Sequence, residues 1–307
     1  MSSYTIGLDL GGTNLRAAAF SADGQLLEQL ARPTDIASGR EGVISNMVEA
    51  INSLRRLHTG RHLLGVGIGV PGFIRLREGI ILNSNNLKPL EDFPIREAIA
   101  ERLGTPVILE NDANAAALGE KWQGAGREVN DLVMFTLGTG IGGGIIHHGR
   151  IMHGSDGMAG ELGHITVMPE GNPCDCGNRG CLEKHASATA LIAMAQLIRL
   201  GDDLTPVEIA AFAKAGDRRA VQVFEAMGRS LGIAIASVIN TFNFPLYLLS
   251  GGLLPAWEHF APTMLAEVES RSFTYRNSHA RVEQATLGNL AGLYGAAYLP
   301  HLPVELE

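Results

Sequence analysis

One pattern constrains this chain more than any other, because it occurs twice. "YTIGLDLGGTNLRAAAF" (4–20) and "LVMFTLGTGIGGGIIHH" (132–148) each read as an apolar strand, a glycine turn and a second strand. A third strand-like segment follows in both cases, "QLLEQLARP" in the first and "GRIMHG" in the second. Beyond it, helices alternate with short apolar runs. The runs "LLGVGIGVPG" (63–72), "TPVILEND" (105–112) and "PLYLLSGG" (245–252) read as strands buried on both faces. Helices are predicted over 41–58, over "ANAAALGEKW", in three stretches within 187–241, over 256–270 and over "NLAGLYGAAYL". Two successive β–Gly–β units with α/β crossovers predict a duplicated α/β fold with a cleft between its halves. The expected division is a small domain over 1–112, completed by 289–307, and a large one over 113–288. No flexible linker separates them, so they are expected to move as hinged bodies.

Composition narrows the function classes. The 307 residues carry a formal charge of −8 and no basic run, which gives nucleic acid no electrostatic footing. No charge occurs between Arg229 and Glu258, a span long enough to cross a bilayer. Asn243, Pro245 and Gly251–Gly252 break it, so a buried helix followed by a buried strand is expected, with no membrane partner. The opening "MSSYTIGLDLGG" has no cationic leader, and the expectation is a soluble cytoplasmic protein with reduced thiols.

The 38 glycines fall in clusters, which points to backbone approaching something closely. In "DLGGTNLR" (9–16), Gly11 and Gly12 either form a plain hairpin turn or bring backbone N–H groups to a phosphate. In the second reading Thr13 and Asn14 add donors, Arg16 adds charge, and Asp9 sits where a magnesium shell could form. "LGTGIGGG" (137–144) contains G-x-G-x-x-G, but it runs on as a strand and opens no helix, which excludes a dinucleotide fold. A second phosphate loop, with Thr139 and Gly140 at its tip, remains. Gly251 and Gly252 form a third strand–Gly–Gly unit, able to seat an adenosine or merely to turn the chain. Together the three favour a nucleotide clamped between domains.

In "LENDANAAALG" a buried strand meets a helix N-terminus. Asn111 or Asp112 could simply cap that helix. Alternatively Asp112, kept ionised by the helix dipole, takes a proton from a hydroxyl. All three cysteines lie in "PCDCGNRGCLEKH" (173–185), too few to pair off as disulfides. With His164 of "GELGH", Cys174, Cys176 and Cys181 make a closed Cys3His set suited to structural zinc, with His153 and His185 as rival fourth ligands. That metal would organise Glu161, His164 and Glu183 around a pocket able to read sugar hydroxyls. Its loss is expected to weaken sugar binding while leaving the glycine loops folded.

The ordered set "DLGGTNLR", "VPG", "ENDANAAALGE", "LGTGIGGG", "GELGH", "CDCGNRGCLE" and "SGG" resembles the ROK family, from about residue 5 to residue 300. The family comprises sugar kinases of the actin/hexokinase-like (ribonuclease H-like) superfamily and related repressors. The resemblance implies Asp112 as catalytic base, with Gly72, Asn86, Asn111, Asp112, Glu161, His164 and Glu183 as sugar contacts. It also implies Gly11, Gly12, Thr13, Thr139, Gly140, Gly251 and Gly252 as nucleotide contacts, and the Cys3His set as zinc ligands. "CGNRGCLEKHAS" and "GTGIGGGI" are most similar to the bacterial glucokinases within the family. ATP, Mg2+ and a structural Zn2+ are then the expected cofactors, a hexose the substrate and a homodimer the assembly. N-acetylmannosamine, N-acetylglucosamine and fructose are the alternative acceptors. The family's repressors carry an N-terminal helix-turn-helix, for which a phosphate loop beginning at Asp9 leaves no room. One departure stands out: "NNLKPLEDF" has Lys88 and Leu90 where glucokinases often show Asn-Leu-Pro-Gly-Trp.

Overall fold

A computed structural model describes residues 2–84 and 86–303. The chain begins with strands β1 (Ser3–Leu10), β2 (Asn14–Ser21) and β3 (Leu26–Pro33), then helix α1 (Gly39–Leu57) and strand β4 (His62–Val70). A hairpin of β5 (Phe73–Arg75) and β6 (Ile80–Asn83) follows, then α2 (Ile95–Leu103), β7 (Val107–Asn111) and α3 (Asp112–Gln123). The pattern restarts with β8 (Leu132–Leu137), β9 (Ile141–His147) and β10 (Arg150–Ile151). After the cysteine segment come α4 (Glu183–Ala186), α5 (Ala188–Leu197), α6 (Pro206–Lys214), α7 (Arg218–Phe242) and β11 (Leu246–Ser250). Helix α8 (Trp257–Arg271), strand β12 (Arg281–Gln284) and helix α9 (Ala291–Tyr298) complete the described chain.

The two five-stranded sheets repeat one topology. Their orders are β3-β2-β1-β4-β7 and β10-β9-β8-β11-β12, each reading third, second, first, fourth, fifth strand. The first three strands are antiparallel neighbours in sheet one, and β4 and β7 add in parallel. In sheet two β9 and β10 are antiparallel, while β8, β11 and β12 run parallel. The predicted duplication is therefore the architecture, and the hairpin β5–β6, helix α2 and the one-turn α4 are additions the sequence reading passed over.

Alternation along buried strands explains how the first sheet is covered. In "VGIGV" (66–70), Val66, Ile68 and Val70 join Ile6 and Leu8 in a fully buried cluster with Ile44, Met47 and Ile51 of α1. Gly67 and Gly7 take the opposite face, as period-two alternation requires. There a Cβ at Gly67 would overlap the Ala296 carbonyl, and one at Gly7 the Leu293 carbonyl, so α9 lies directly on the sheet. Any larger residue at either position would push the helix away. Leu90 is also fully buried in the first cluster. The departure at that position is thus core packing.

Contacts divide the chain into two compact units, 1–130 with 144–159 and 286–307, and 131–143 with 160–285. In the second unit α7 is long and apolar enough to cross a membrane by length and composition, but 67% of its most apolar window is buried inside the protein. It ends at Asn243, which takes the left-handed conformation typical of a C-cap. The buried strand β11 follows, as expected.

Candidate functional site

In the first unit, β7 delivers Glu110, Asn111 and Asp112 to the N-terminus of α3. Asn111 is the N-cap, its Oδ1 accepting from the Ala113 and Asn114 N–H groups at 2.9 and 3.1 Å. Its Nδ2 donates to the Gly72 carbonyl at 3.3 Å. Gly72 adopts φ 107 and leaves no room for a Cβ against the Asn83 carbonyl, so this turn requires glycine. The two capping candidates are thereby separated. Asp112 is the first helical residue, with Oδ1 accepting from the Ala113 N–H at 2.8 Å.

Glu110, which sequence reasoning missed, is 3% exposed. Its Oε1 accepts from the Asn111 N–H at 2.8 Å and the Asn114 amide at 3.1 Å, while Oε2 meets His153 Nε2 at 2.7 Å. His153, weighed as a zinc ligand, instead belongs to this carboxylate. It also lines a 690 Å³ groove with Arg75, Arg77, Asp156 and Met158, whose walls include neither Asp112 nor a glycine loop.

The first glycine loop is not a positive-φ hairpin. Neither Gly11 nor Gly12 has φ > 0, and a Cβ at Gly11 would meet only the Asn14 carbonyl, at 3.2 Å. A Cβ at Gly12 would lie 3.0 Å from the Asn86 Cβ, which brings those two predicted residues together. Thr34 closes the loop from behind: its Oγ1 donates to the Gly11 carbonyl at 2.6 Å, and its N–H to the Thr13 carbonyl at 2.9 Å. Asp9 and Arg16 are cross-strand partners and form an ion pair, with Arg16 also donating to the Asn289 carbonyl at 2.7 Å. Arg16 thus holds Asp9 in the present geometry.

The second unit holds Thr139, Gly140, Gly251, Gly252, Glu161, His164, Glu183 and the cysteines. Gly138 and Gly140 again lack positive φ. A Cβ at Gly138 would stand in open space, 3.9 Å from its nearest neighbour, whereas one at Gly140 would collide with the Glu183 carboxylate. That carboxylate accepts from the Ile141 N–H at 3.0 Å. The loop is therefore tied to the segment that follows Cys181, which does not fit the expected independence of the glycine loops from the metal loop. Gly251 (φ 106) presses on the Leu137 backbone, while Gly252 faces open space.

The ligand atoms of His164, Cys174, Cys176 and Cys181 all lie within 4.8 Å of one another. Cys176 and Cys181 Sγ are 3.6 Å apart, as are Cys174 Sγ and His164 Nδ1. Tetrahedral zinc with bonds of ~2.3 Å to sulfur needs sulfur–sulfur edges of ~3.8 Å, so the donor set fits that ion. His185 lies outside the cluster, its Nε2 accepting from the Asn172 N–H at 3.4 Å. Left-handed Gly177 and Gly180 fold the knuckle, and bridges Thr166–Cys181 and Pro173–Arg179 close it. Burial, reinforced by hydrogen bonds that the Cys181 S–H donates to the neighbouring sulfurs, pushes the Cys181 thiol up to about 12, a cost that a coordinated cation reverses. The Asn178 N–H lowers Cys176.

His164 turns Nδ1 to the thiols and Nε2 toward Glu161 Oε2, 3.9 Å away. The Glu161 carboxyl is raised by partial burial and by the charge of Glu183, with His164 opposing. A carboxylate behind a ligating imidazole is the usual way a ring is oriented on a metal.

The strand order and these glycine-lined turns define the two-domain actin/hexokinase-like fold found among sugar kinases. The chain belongs to the ROK family, whose model matches residues 5–302. It is 37% identical to the glucokinase of Halalkalibacterium halodurans, over 96% of this chain and 94% of that one. The crystal structure of a ROK hexokinase from Thermus thermophilus superposes with a TM-score of 0.85 at 35% identity, covering 96% of each chain. A ROK family glucokinase from Streptomyces griseus, solved with glucose and AMPPNP, gives 0.76 at 33% identity over 96% of this chain and 98% of that one.

Proposed function

We propose that this chain is an ATP-dependent glucokinase in which Asp112 is the general base. The observation that carries the reading is the arrangement at α3: Asn111 supplies the cap, and the Asp112 carboxylate stands beside it as the first helical residue. Similarity to the glucokinases and to the glucose- and AMPPNP-bound structure supports the acceptor and the donor.

Asp112 takes the proton of the sugar 6-hydroxyl as that oxygen attacks the γ-phosphorus. The bond from phosphorus to the bridging oxygen breaks, and ADP leaves with the electron pair. Asn86, Asn111, the Gly72 backbone, Glu161, His164 and Glu183 are the hexose contacts in this reading. Gly12, Thr13, Asn14, Thr139 and Gly140 offer N–H and hydroxyl donors to the phosphates, Gly11 holds the turn that presents them through its N–H to the Asn14 carbonyl at 2.9 Å, and Gly251 and Gly252 seat the nucleoside. Gly138 and Gly252 support this, because no left-handed φ and no tight Cβ neighbour requires glycine there. Asp9 is the carboxylate that would hold Mg2+, which when bound neutralises phosphate charge. His164, Cys174, Cys176 and Cys181 would hold a structural Zn2+ with no open position for water. The enzyme acts in the cytoplasm as a homodimer.

A coupled assay with MgATP across glucose, fructose, N-acetylmannosamine and N-acetylglucosamine tests the reading. Glucose is expected to give the highest kcat/KM. Preference for an N-acetylhexosamine moves the acceptor within the family, and no turnover with any sugar overturns the kinase.

A further inference from the structure

Both glycine loops are held from behind in the same way, by elements far away in sequence. In the first, Thr34 donates its hydroxyl and its N–H to the Gly11 and Thr13 carbonyls, at 2.6 and 2.9 Å. In the second, the first turn of α5 does this. The Ala188 N–H donates to the Gly138 carbonyl at 2.9 Å, and the Thr189 hydroxyl donates to the Thr139 carbonyl at 2.8 Å. Helix α5 has an N–H to spare at Ala188, because the first N–H groups of any helix lack partners inside it. Ser187 caps the same turn by accepting from the Ala190 N–H at 3.2 Å, which fixes Thr189 in place.

The consequence follows from peptide planarity. In a trans peptide the carbonyl of one residue and the N–H of the next point in opposite directions. Drawing the Gly138 and Thr139 carbonyls onto α5 therefore turns the Thr139 and Gly140 N–H groups away from it. Drawing the Gly11 carbonyl onto Thr34 likewise turns out the Gly12 N–H. None of these three N–H groups donates to another described residue. A glycine loop left to itself has many conformations, and only some of them converge amides on an anion.

We propose that Thr34 and Thr189 are positioning residues for phosphoryl transfer, each fixing the carbonyl edge of one glycine loop so that its amides face the nucleotide phosphates. The inference rests on reading the chain as an MgATP-dependent kinase. Among the described residues neither threonine hydrogen-bonds a proposed sugar contact or metal ligand. Thr34 is 1% exposed, so valine replaces it with little change of shape, while Thr189 is exposed and its replacement leaves the core alone.

The test uses the full chain, calorimetric titration with a magnesium complex of a non-hydrolysable ATP analogue, and steady-state kinetics. Wild type is titrated first with the analogue and with glucose. Thr189→Val and Thr34→Val are each expected to weaken analogue binding and raise KM for MgATP about three- to tenfold, the range for loss of one neutral hydrogen bond. Glucose KM and zinc content are expected to stay within about twofold of wild type on the same argument. Thr189→Ser and Thr34→Ser, which keep the hydroxyl, should restore nucleotide affinity. Unchanged analogue affinity in Thr189→Val, a parallel loss of glucose affinity, or no rescue by serine would each overturn the proposal. Should Thr34→Val melt early, the exposed Thr189 pair decides. Wild type that binds glucose but no nucleotide overturns the kinase reading itself, an outcome distinct from normal wild-type binding with unaffected variants.

Discussion

The two sheets share a strand order, and their fourth strands share an ending. Strand β4 runs into Gly72 at φ 107, and β11 into Gly251 at φ 106, each with a backbone carbonyl where a side chain would go. Their fifth strands differ. Strand β7 ends in Glu110-Asn111-Asp112 at the start of a twelve-residue helix, whereas β12 runs through Ala285 into a loop with no carboxylate. The second unit has a different addition, the cysteine knuckle between β10 and α4. Duplication thus supplies glycine turns in both units, the ones proposed to bind phosphate among them. On the proposed reading, proton abstraction and the sugar segment beside the cysteine knuckle belong to the parts where the copies diverge.

The largest expected effect breaks the comparison at the fifth strand. Asp112→Asn should lower kcat by about 10² to 10⁴ while glucose affinity changes little, because the cap stays with Asn111. Stopped-assay turnover beside calorimetric glucose binding checks this. Near-normal kcat would reduce Asp112 to an ordinary helix residue.

Next comes the knuckle. Cys176→Ser should lose the zinc and about 10- to 100-fold in activity, chiefly through glucose KM. Because Glu183 also holds the Ile141 N–H, a smaller loss of nucleotide affinity should accompany it. Metal content by elemental analysis, with separate titration of each ligand, gives the ratio. Equal loss of both ligands with early melting would make the knuckle a general staple.

The shared fourth-strand turns should fail alike. Gly72→Ala and Gly251→Ala each force a side chain into a left-handed, crowded position, costing about 1–3 kcal/mol. Gly252→Ala, with ordinary φ and open space, should unfold like wild type yet bind nucleotide less well. Denaturant titration of the three variants separates backbone strain from ligand approach.

The smallest expected change is at the cap. Asn111→Ala should destabilise by about 1 kcal/mol, since two helix N–H groups lose their acceptor. A midpoint shift beyond the scatter of repeated melts suffices to see it, and none would mean that Asp112 takes over the cap.

Local patterns made much of this legible. The doubled strand–Gly–strand motif, the alternation in "VGIGV" and the crowding of three cysteines near one histidine are short-range features, and they bring the fold and the metal donors within reach of reading. The sequence also narrowed the α3 cap to Asn111 or Asp112, but neighbouring residues with similar caps cannot be ranked by type. Tertiary structure decided it, because Asn111 reaches the Gly72 carbonyl 39 positions away as well as its own helix.

The same limit hid the supports. Glu110 and His153 are separated by 43 positions, Thr189 and Thr139 by 50, and Thr34 and Gly11 by 23. Nothing in the composition of any one segment signals its partner. Residue type and spacing determined which groups are the candidates for chemistry, since turn glycines, soft ligands and a carboxylate at a helix start act through local geometry. Which way those groups point was left to the fold, because backbone carbonyls and amides are alike in every residue and only packing chooses which of them meet.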